Sequence, residues 1–173
     1  EIKRRTEELL EFCDLIKFRK RTVRKLSGGM KRKLMVCRAL LTDPEILLLD
    51  EPTAGMDALS RRQMWNLLRK LNGKNLTILL TTHYMEEAQN LCSRVALMDH
   101  GKLEEVNTPA GLIDSLGNYT VDEFAGDKTH SHYFHSREEA IAYLSGLSGQ
   151  ASLRETTLED VFVERAGRHL MPS

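Results

Sequence analysis

The sequence contains few cysteines and no long apolar run, and these two absences exclude several classes of protein. Its three cysteines are far apart and include no Cys-x-x-Cys pair, so we expect reduced thiols, as in a cytosolic protein, rather than a disulfide framework or a zinc site. They are Cys13, Cys37 and Cys92. No apolar stretch approaches the ~20 residues of a membrane-spanning helix. The first residues also have no apolar segment behind them, so we do not expect them to be a secretory signal.

Net charge is also absent, because 25 basic side chains balance 25 acidic ones over 173 residues. The balance argues against an evenly basic nucleic-acid binder, and a hydrophobic fraction of 41% argues against disorder. The zero total nevertheless combines two unlike parts. Residues 1–40 carry a net charge of +8, and the remaining residues carry −8.

The order of apolar segments predicts an α/β fold with a parallel sheet up to about residue 116. A continuous apolar run at 46–49 predicts a strand that is buried on both faces. The helix before it is expected to bury one face, formed by Met30, Leu34, Cys37 and Leu41. The other predicted elements are helices near 2–18, 58–71, 84–92 and 108–116, a strand at 76–80 and a hairpin of 95–98 with 102–106. Residues 117–173 predict a small α+β appendage, with short strands in 118–135 and helices at 136–146 and 157–164.

Two adjacent carboxylates follow the apolar strand directly. Ligands of open α/β sheets bind at the carboxyl ends of the strands, so Asp50 and Glu51 point toward a binding crevice. Asp50 is placed to hold Mg²⁺, and Glu51 is placed to orient a water that attacks a phosphoryl group. The alternative, that the two acids only solubilise a strand end and cap a helix, has about even weight for the motif alone.

Two further signals are weaker in isolation. Ser27, Gly28 and Gly29 open a helix, where free N–H groups and the helix dipole favour an anion, although an ordinary N-cap explains the same residues. His83 follows the second apolar strand and therefore lies at the same sheet edge as the two acids. A histidine there can bind a phosphate, but a lone histidine is more often structural.

Two other patterns, a group of histidines and a basic segment, could suggest a metal site and a nucleic-acid interface, but neither is well supported. The spacing of His130, His132 and His135 places only the first two on one face of a strand, and no carboxylate or cysteine completes a metal site. The basic residues between 17 and 33 resemble a nucleic-acid footprint, but Phe18 is the only aromatic among them. We therefore expect a solvated, partner-facing surface and no nucleic acid.

In order and spacing, these signals together resemble the nucleotide-binding domain of ATP-binding cassette (ABC) transporters. LSGGM at 26–30 is similar to the signature motif, with Met30 in place of the usual Gln. ILLLDEP at 46–52 resembles the Walker B motif followed by the catalytic Glu. AGMD at 54–57 resembles the D-loop, and His83 resembles the switch histidine. Met30 and the ending LEDVFVERAG at 158–167 are most similar to the drug- and polysaccharide-export (ABC-2) type.

The resemblance implies a P-loop NTPase-like (RecA-like) core and an ATPase. Residues 1–42 would be the helical subdomain with the signature helix, 43–116 the catalytic core and 117–173 an accessory region. Glu51 and His83 would be catalytic, and Asp50 would hold Mg²⁺. The nucleotide of a second, head-to-tail domain would be bound in trans by Ser27, Gly28, Gly29 and Asp57. The subunit would be cytoplasmic, peripheral on the inner face of the cell membrane, and would drive export through a separate permease.

The sequence departs from the family pattern in one essential part. It contains no phosphate-binding loop G-x-x-x-x-G-K-[ST], which supplies the main cradle for the β- and γ-phosphates. We therefore expect the gene to begin inside a larger domain and the 173-residue chain alone to be inactive. Two alternatives stay open. One is a soluble ABC-type ATPase that acts on ribosomes or DNA, and the other is a truncated, non-catalytic protein that only binds partners.

Overall fold

The computed structural model describes residues 2–73 and 76–170, with side chains to residue 165. The chain forms two compact units, residues 1–83 and 84–173. The first unit contains, in order, α1 (Ile2–Phe12), α2 (Gly28–Ala39), β1 (Ile46–Asp50), α3 (Ala58–Asn72) and β2 (Thr77–Thr81). Short 3-10 turns at 16–18 and 23–25 lie between α1 and α2, and a third at 40–42 follows α2.

The sheet of the first unit is a parallel pair. β1 and β2 run in register from Ile46 opposite Thr77 to Asp50 opposite Thr81, and α3 connects them. The apolar side chains of α3 form a buried stripe, namely Met64, Trp65, Leu67, Leu68 and Leu71. A strand, a helix and a parallel strand in succession confirm the predicted α/β class.

The prediction that β1 is buried on both faces is wrong. Leu47 is buried, whereas Leu48 is 70% exposed, and its register partner Leu79 is 63% exposed. Successive side chains of a strand point to opposite faces, so burial here alternates with the pleat. One face of the β1–β2 pair is packed, and the other presents leucines to solvent.

The buried face of α2 is also shifted from the prediction. Its buried residues are Lys33, Val36 and Cys37, while Leu41 is 39% exposed. The helix ends at Ala39 and continues as a 3-10 turn, so Leu41 no longer lies on the helical stripe. Lys33 is accommodated because its Nζ donates to Gln63 Oε1 on α3 at 3.2 Å.

The described residues of the second unit, 84–170, form two antiparallel sheets and four helices. The unit contains α4 (Met85–Leu91), β3 (Val95–Asp99), β4 (Lys102–Asn107), α5 (Pro109–Asp114), β5 (Tyr119–Ala125), β6 (Lys128–Phe134), α6 (Arg137–Gly146), β7 (Gln150–Glu155) and α7 (Leu158–Leu170). β3 and β4 form the predicted hairpin, and the second sheet has the order β6-β5-β7. The sequence prediction missed β7. None of the helices in the described ranges combines the length and apolar character that a membrane crossing requires.

The core of the second unit joins segments from both sides of residue 117. Leu112 of α5 and Leu158 of α7 are fully buried in one apolar cluster. The division by compactness therefore falls after His83. The predicted functional boundary between residues 116 and 117 stays a prediction.

Candidate functional site

The carboxyl ends of β1 and β2 bring Asp50 and Glu51 against Thr81. The Thr81 hydroxyl donates to Asp50 Oδ1 at 2.5 Å. The Glu51 amide donates to the Thr81 carbonyl at 3.1 Å and lies 3.3 Å from the same hydroxyl. The parallel register causes this arrangement, because it places Asp50 opposite Thr81 at the last paired position.

Glu51 turns its side chain toward His83. Its φ of +47° lies in the left-handed region, which is uncommon for residues other than glycine. Such strained backbone conformations cluster at functional sites. His83 Nδ1 lies 2.8 Å from Oε1 and 2.7 Å from Oε2 of Glu51. With Nδ1–H donating to the carboxylate, the imidazole is oriented by the acid that precedes it in the chain.

The oxygen atoms at this edge suit a hard divalent cation. Asp50 is exposed and contributes a carboxylate, and Thr81 contributes a hydroxyl next to it. Within the described ranges, no group of three His, Cys, Asp or Glu residues forms a closed metal site. This composition fits Mg²⁺, which commonly takes one or two protein oxygens and fills its other positions with water and substrate phosphates.

The second group of candidate residues lies at the start of α2. Ser27 caps the helix, accepting a hydrogen bond from the Met30 amide at 3.3 Å. A Cβ at Gly28 would meet no atom within 4 Å, so this glycine faces open space. A Cβ at Gly29 would lie 3.1 Å from the side chain of Ser60 at the start of α3, so a larger residue would require Ser60 to shift by a few tenths of an ångström. The exposed amides at this end have the chemistry of an anion site.

Asp57 is hydrogen-bonded to Ser60, the same serine that lies against Gly29 at the start of α2. It caps α3, accepting from the Ser60 amide at 2.9 Å and from the Ser60 hydroxyl at 2.7 Å. The backbone hydrogen bond from Ser60, followed by the hydroxyl bond, holds the pKa of Asp57 below its ordinary value. Asp57 is therefore ionised at neutral pH, and Ser60 joins it to the surface that contains Gly29.

Sequence reasoning missed Thr81 and Ser60. The Thr81 hydroxyl donates to Asp50, and the Ser60 hydroxyl donates to Asp57. The signal for Thr81 was available, since a parallel pair of strands of equal length places their last residues opposite each other. Ser60 had no such signal, because its contact with Gly29 depends on how α2 packs against α3.

The histidines of β6 have a structural environment in the second unit. His132 packs against the ring of Tyr143, with centroids 4.8 Å apart, and its Nε2 lies 3.6 Å from Glu123. Within the described residues, these histidines belong to no group of three possible metal ligands.

Comparisons with known proteins agree with this geometry. The family model described as ABC transporter matches residues 1–54. The chain is 40% identical to the Nod factor export ATP-binding protein I of Cupriavidus pinatubonensis and 39% identical to that of Cupriavidus metallidurans, each over 98% of its length. These alignments cover 58% and 63% of the two relatives, so the chain spans about three fifths of their length.

Solved structures give the same picture for the fold. MJ1267, an ATP-binding cassette of an ABC transporter, is similar with a TM-score of 0.58 and 27% identity, over 61% of this chain and 42% of that one. The cbiO1 protein of Clostridium perfringens, part of the ABC transporter complex cbiONQ, is similar with a TM-score of 0.60 and 25% identity. The match covers 64% of this chain and 44% of cbiO1. The predicted P-loop NTPase-like class is thereby confirmed.

Proposed function

We propose that this chain, which belongs to the ABC transporter family of ATP-binding proteins, is part of an ATP-hydrolysing subunit that powers an exporter. The relatives named as export ATP-binding proteins support the direction of transport. The contact between Glu51 and His83 at the carboxyl edge of the sheet carries the catalytic part of the proposal.

Glu51 would act on the attacking water. A carboxylate held by an imidazole can accept a hydrogen bond from water and polarise it toward a phosphoryl group. His83 fixes the direction of the carboxylate and would itself lie next to the transferring phosphate. The strained backbone at Glu51 supports this role, because it aims the side chain away from the path of a regular strand.

Asp50 would hold Mg²⁺, together with the hydroxyl of Thr81 or through water. When bound, the ion would neutralise charge on the phosphates. Thr81 keeps one oxygen of Asp50 in a defined position, which is the contribution of this chain to the metal site.

Ser27, Gly28, Gly29 and Asp57 would serve the nucleotide of a second domain in a head-to-tail dimer. The open space at Gly28 and the exposed Ser27 support a role toward a ligand outside the unit. In such a dimer, the phosphate-binding loop of the second domain would hold that nucleotide. The other partner would be a membrane permease, which would locate the subunit on the inner face of the cell membrane.

The test is Glu51→Gln in a chain in which a phosphate-binding loop precedes residue 1, supplied by its own gene or grafted from the Cupriavidus metallidurans relative. We expect ATP turnover to fall by about 100-fold or more, because the amide polarises water poorly. ATP affinity should stay within a few-fold, since the substitution preserves size.

Glu45→Gln is the matched control. Glu45 is exposed and lies just ahead of β1, at the opposite end of the strand from the site, so turnover should not change. Undiminished turnover in Glu51→Gln would reject the catalytic assignment. The 173 residues alone should show no ATP binding at millimolar nucleotide.

A further inference from the structure

The segment between Asp14 and Asp43 in the first unit has charge of one sign only. It contains ten lysines and arginines and no carboxylate. Six of these bases are concentrated in residues 17–25, between α1 and α2, which we call the basic loop. They are Lys17, Arg19, Lys20, Arg21, Arg24 and Lys25. Such a density of positive charge on a folded surface attracts anionic partners.

The basic loop is an ordered part of the fold. Leu15 and Leu26, which border it, are buried with exposures of 3% and 9%. Between them the chain forms the two 3-10 turns described above, and the amide of Lys25 donates to the carbonyl of Thr22 at 3.0 Å. The positive charges are therefore held on a backbone that is anchored in the core at both sides.

Most of this charge is not neutralised by the protein. All six basic side chains of the loop are exposed. Within the described ranges, their only carboxylate partner is Glu7, which lies 3.5 Å from Arg19. Among the described residues, four bases of the loop have neither an ion pair nor a ring contact, namely Lys17, Lys20, Arg24 and Lys25. An anion that approaches the loop meets cations that no carboxylate of the chain competes for.

An apolar side chain lies among these charges and indicates which anionic partner fits. Val23 is 55% exposed, between Thr22 and Arg24. The one aromatic of the loop, Phe18, has the guanidinium of Arg21 over its ring at 5.0 Å. Single-stranded nucleic acids bind by stacking bases on open aromatic rings, and the loop offers no such ring. An exposed aliphatic side chain between cations instead suits the boundary between anionic head groups and acyl chains.

We propose that the basic loop binds the surface of a membrane that contains anionic phospholipids. Its cations contact the phosphate head groups, and Val23 enters the layer beneath them. Clusters of about four to eight Lys and Arg residues are enough for this attraction. The proposal goes beyond the proposed function, because the chain itself would attach to the membrane without ATP and without a permease. It can therefore fail while the proposed function holds.

The first experiment measures cosedimentation of the 173-residue chain with phospholipid vesicles. We expect binding to vesicles of equal parts phosphatidylcholine and phosphatidylglycerol, and none to phosphatidylcholine alone. Salt at about 1 M should release the chain, because it shortens the Debye length to about 3 Å. Equal binding to both kinds of vesicle, or no binding to either, would overturn the proposal without any substitution.

A triple variant then tests the loop itself. Lys20→Gln, Arg24→Gln and Lys25→Gln together should lower the partition coefficient about 100-fold, because each basic residue near an anionic surface contributes about five-fold. The matched control is Arg62→Gln, Lys70→Gln and Arg137→Gln, which removes three exposed charges outside the loop. It should stay within about three-fold of the parent chain. Equal losses in the two variants would reduce the effect to net charge and reject the loop as the contact.

A tryptophan at Val23 distinguishes lipid from other anions. The native Trp65 is buried with an exposure of 6%, so it provides a constant background. In Val23→Trp, vesicles with brominated acyl chains should quench the added fluorescence, whereas the emission of the parent chain should not change. Binding without quenching, or tighter binding of polyuridylate than of vesicles at the same salt, would refute the membrane contact. Circular dichroism checks that each variant keeps the fold of the parent chain.

Discussion

Strands β1 and β5 show how differently the two units cover their sheets. β1 is entirely apolar before Asp50, yet Leu48 is exposed. β5 is buried at three successive positions, Thr120, Val121 and Asp122, and is therefore covered on both faces although two of the three are polar. Apolar composition alone does not decide two-sided burial. Layers packed on both faces decide it, provided that every buried polar group finds a partner.

The partners of the polar residues in β5 are specific. The hydroxyls of Thr120 and Thr156 lie 2.8 Å apart. Asp122 accepts from Arg154 at 2.7 Å, and Arg154 also pairs with Asp160 at 2.7 Å. In the first unit, Asp50 at the end of β1 is instead exposed, and Glu51 is half-buried beside His83. The buried polar groups of β5 are thus paired within the second unit, whereas Asp50 and Leu48 of β1 are exposed in the first.

The largest predicted effect compares two leucines. Leu112→Ala should lower the free energy of unfolding by about 3 kcal/mol, because it opens a cavity in the core of the second unit. Leu48→Ala should change it by less than about 0.5 kcal/mol, because that side chain is already exposed. Urea denaturation followed by circular dichroism measures both. Equal losses would show that another layer covers the Leu48 face in solution.

The next effect concerns the arginine that joins β5, β7 and α7. Arg154→Ala should cost about 2 kcal/mol, because it leaves two largely buried carboxylates without their cation. Arg137→Ala, at an exposed position in the first turn of α6, is the control and should be nearly neutral. A neutral Arg154→Ala in the same urea titration would contradict the claim that polar pairing permits the burial of β5.

The same network predicts a pH dependence. Burial would raise the pKa of Asp160, but the hydrogen bonds from Arg154 and Thr157 outweigh it and hold the pKa below 3.8. A folded pKa below the unfolded value gives stability that is present above about pH 4 and is lost as the pH falls through the folded pKa. Asp160→Asn should remove this part of the acid limb in thermal melts between neutral and acidic pH. An unchanged acid limb would show that Asp160 does not contribute.

The smallest effect compares two serine caps. Ser136 forms a reciprocal capping box with Glu139, and Ser136→Ala should cost about 1 kcal/mol. Ser27 accepts one long hydrogen bond at the start of α2, so Ser27→Ala should cost about 0.5 kcal/mol in stability. With a phosphate-binding loop present, Ser27→Ala should reduce ATP turnover, whereas Ser136→Ala should not. If Ser27→Ala affected only stability, the proposed role of Ser27 in trans would be wrong.

Sequence reasoning predicted most elements and the ends at which the candidate residues lie. The helical spacing of apolar residues predicted α3, and the apolar runs on either side of a turn predicted the hairpin of β3 with β4. It missed β7 and misassigned the buried face of α2. β7 has a mixed sequence and becomes a strand by pairing with β5, which is a long-range condition. The face of α2 depends on where the helix changes to a 3-10 turn, at Leu40.

The sequence by itself determined the α/β order, the resemblance to ABC ATP-binding proteins and the positions of Asp50, Glu51 and His83 at strand ends, because hydrophobic periodicity and motif spacing are local properties. Only the tertiary structure decided that Glu51 and His83 are within hydrogen-bond distance and that Gly29 lies against Ser60. Those contacts join residues far apart in the chain. They therefore depend on strand register and helix packing, which no local pattern specifies.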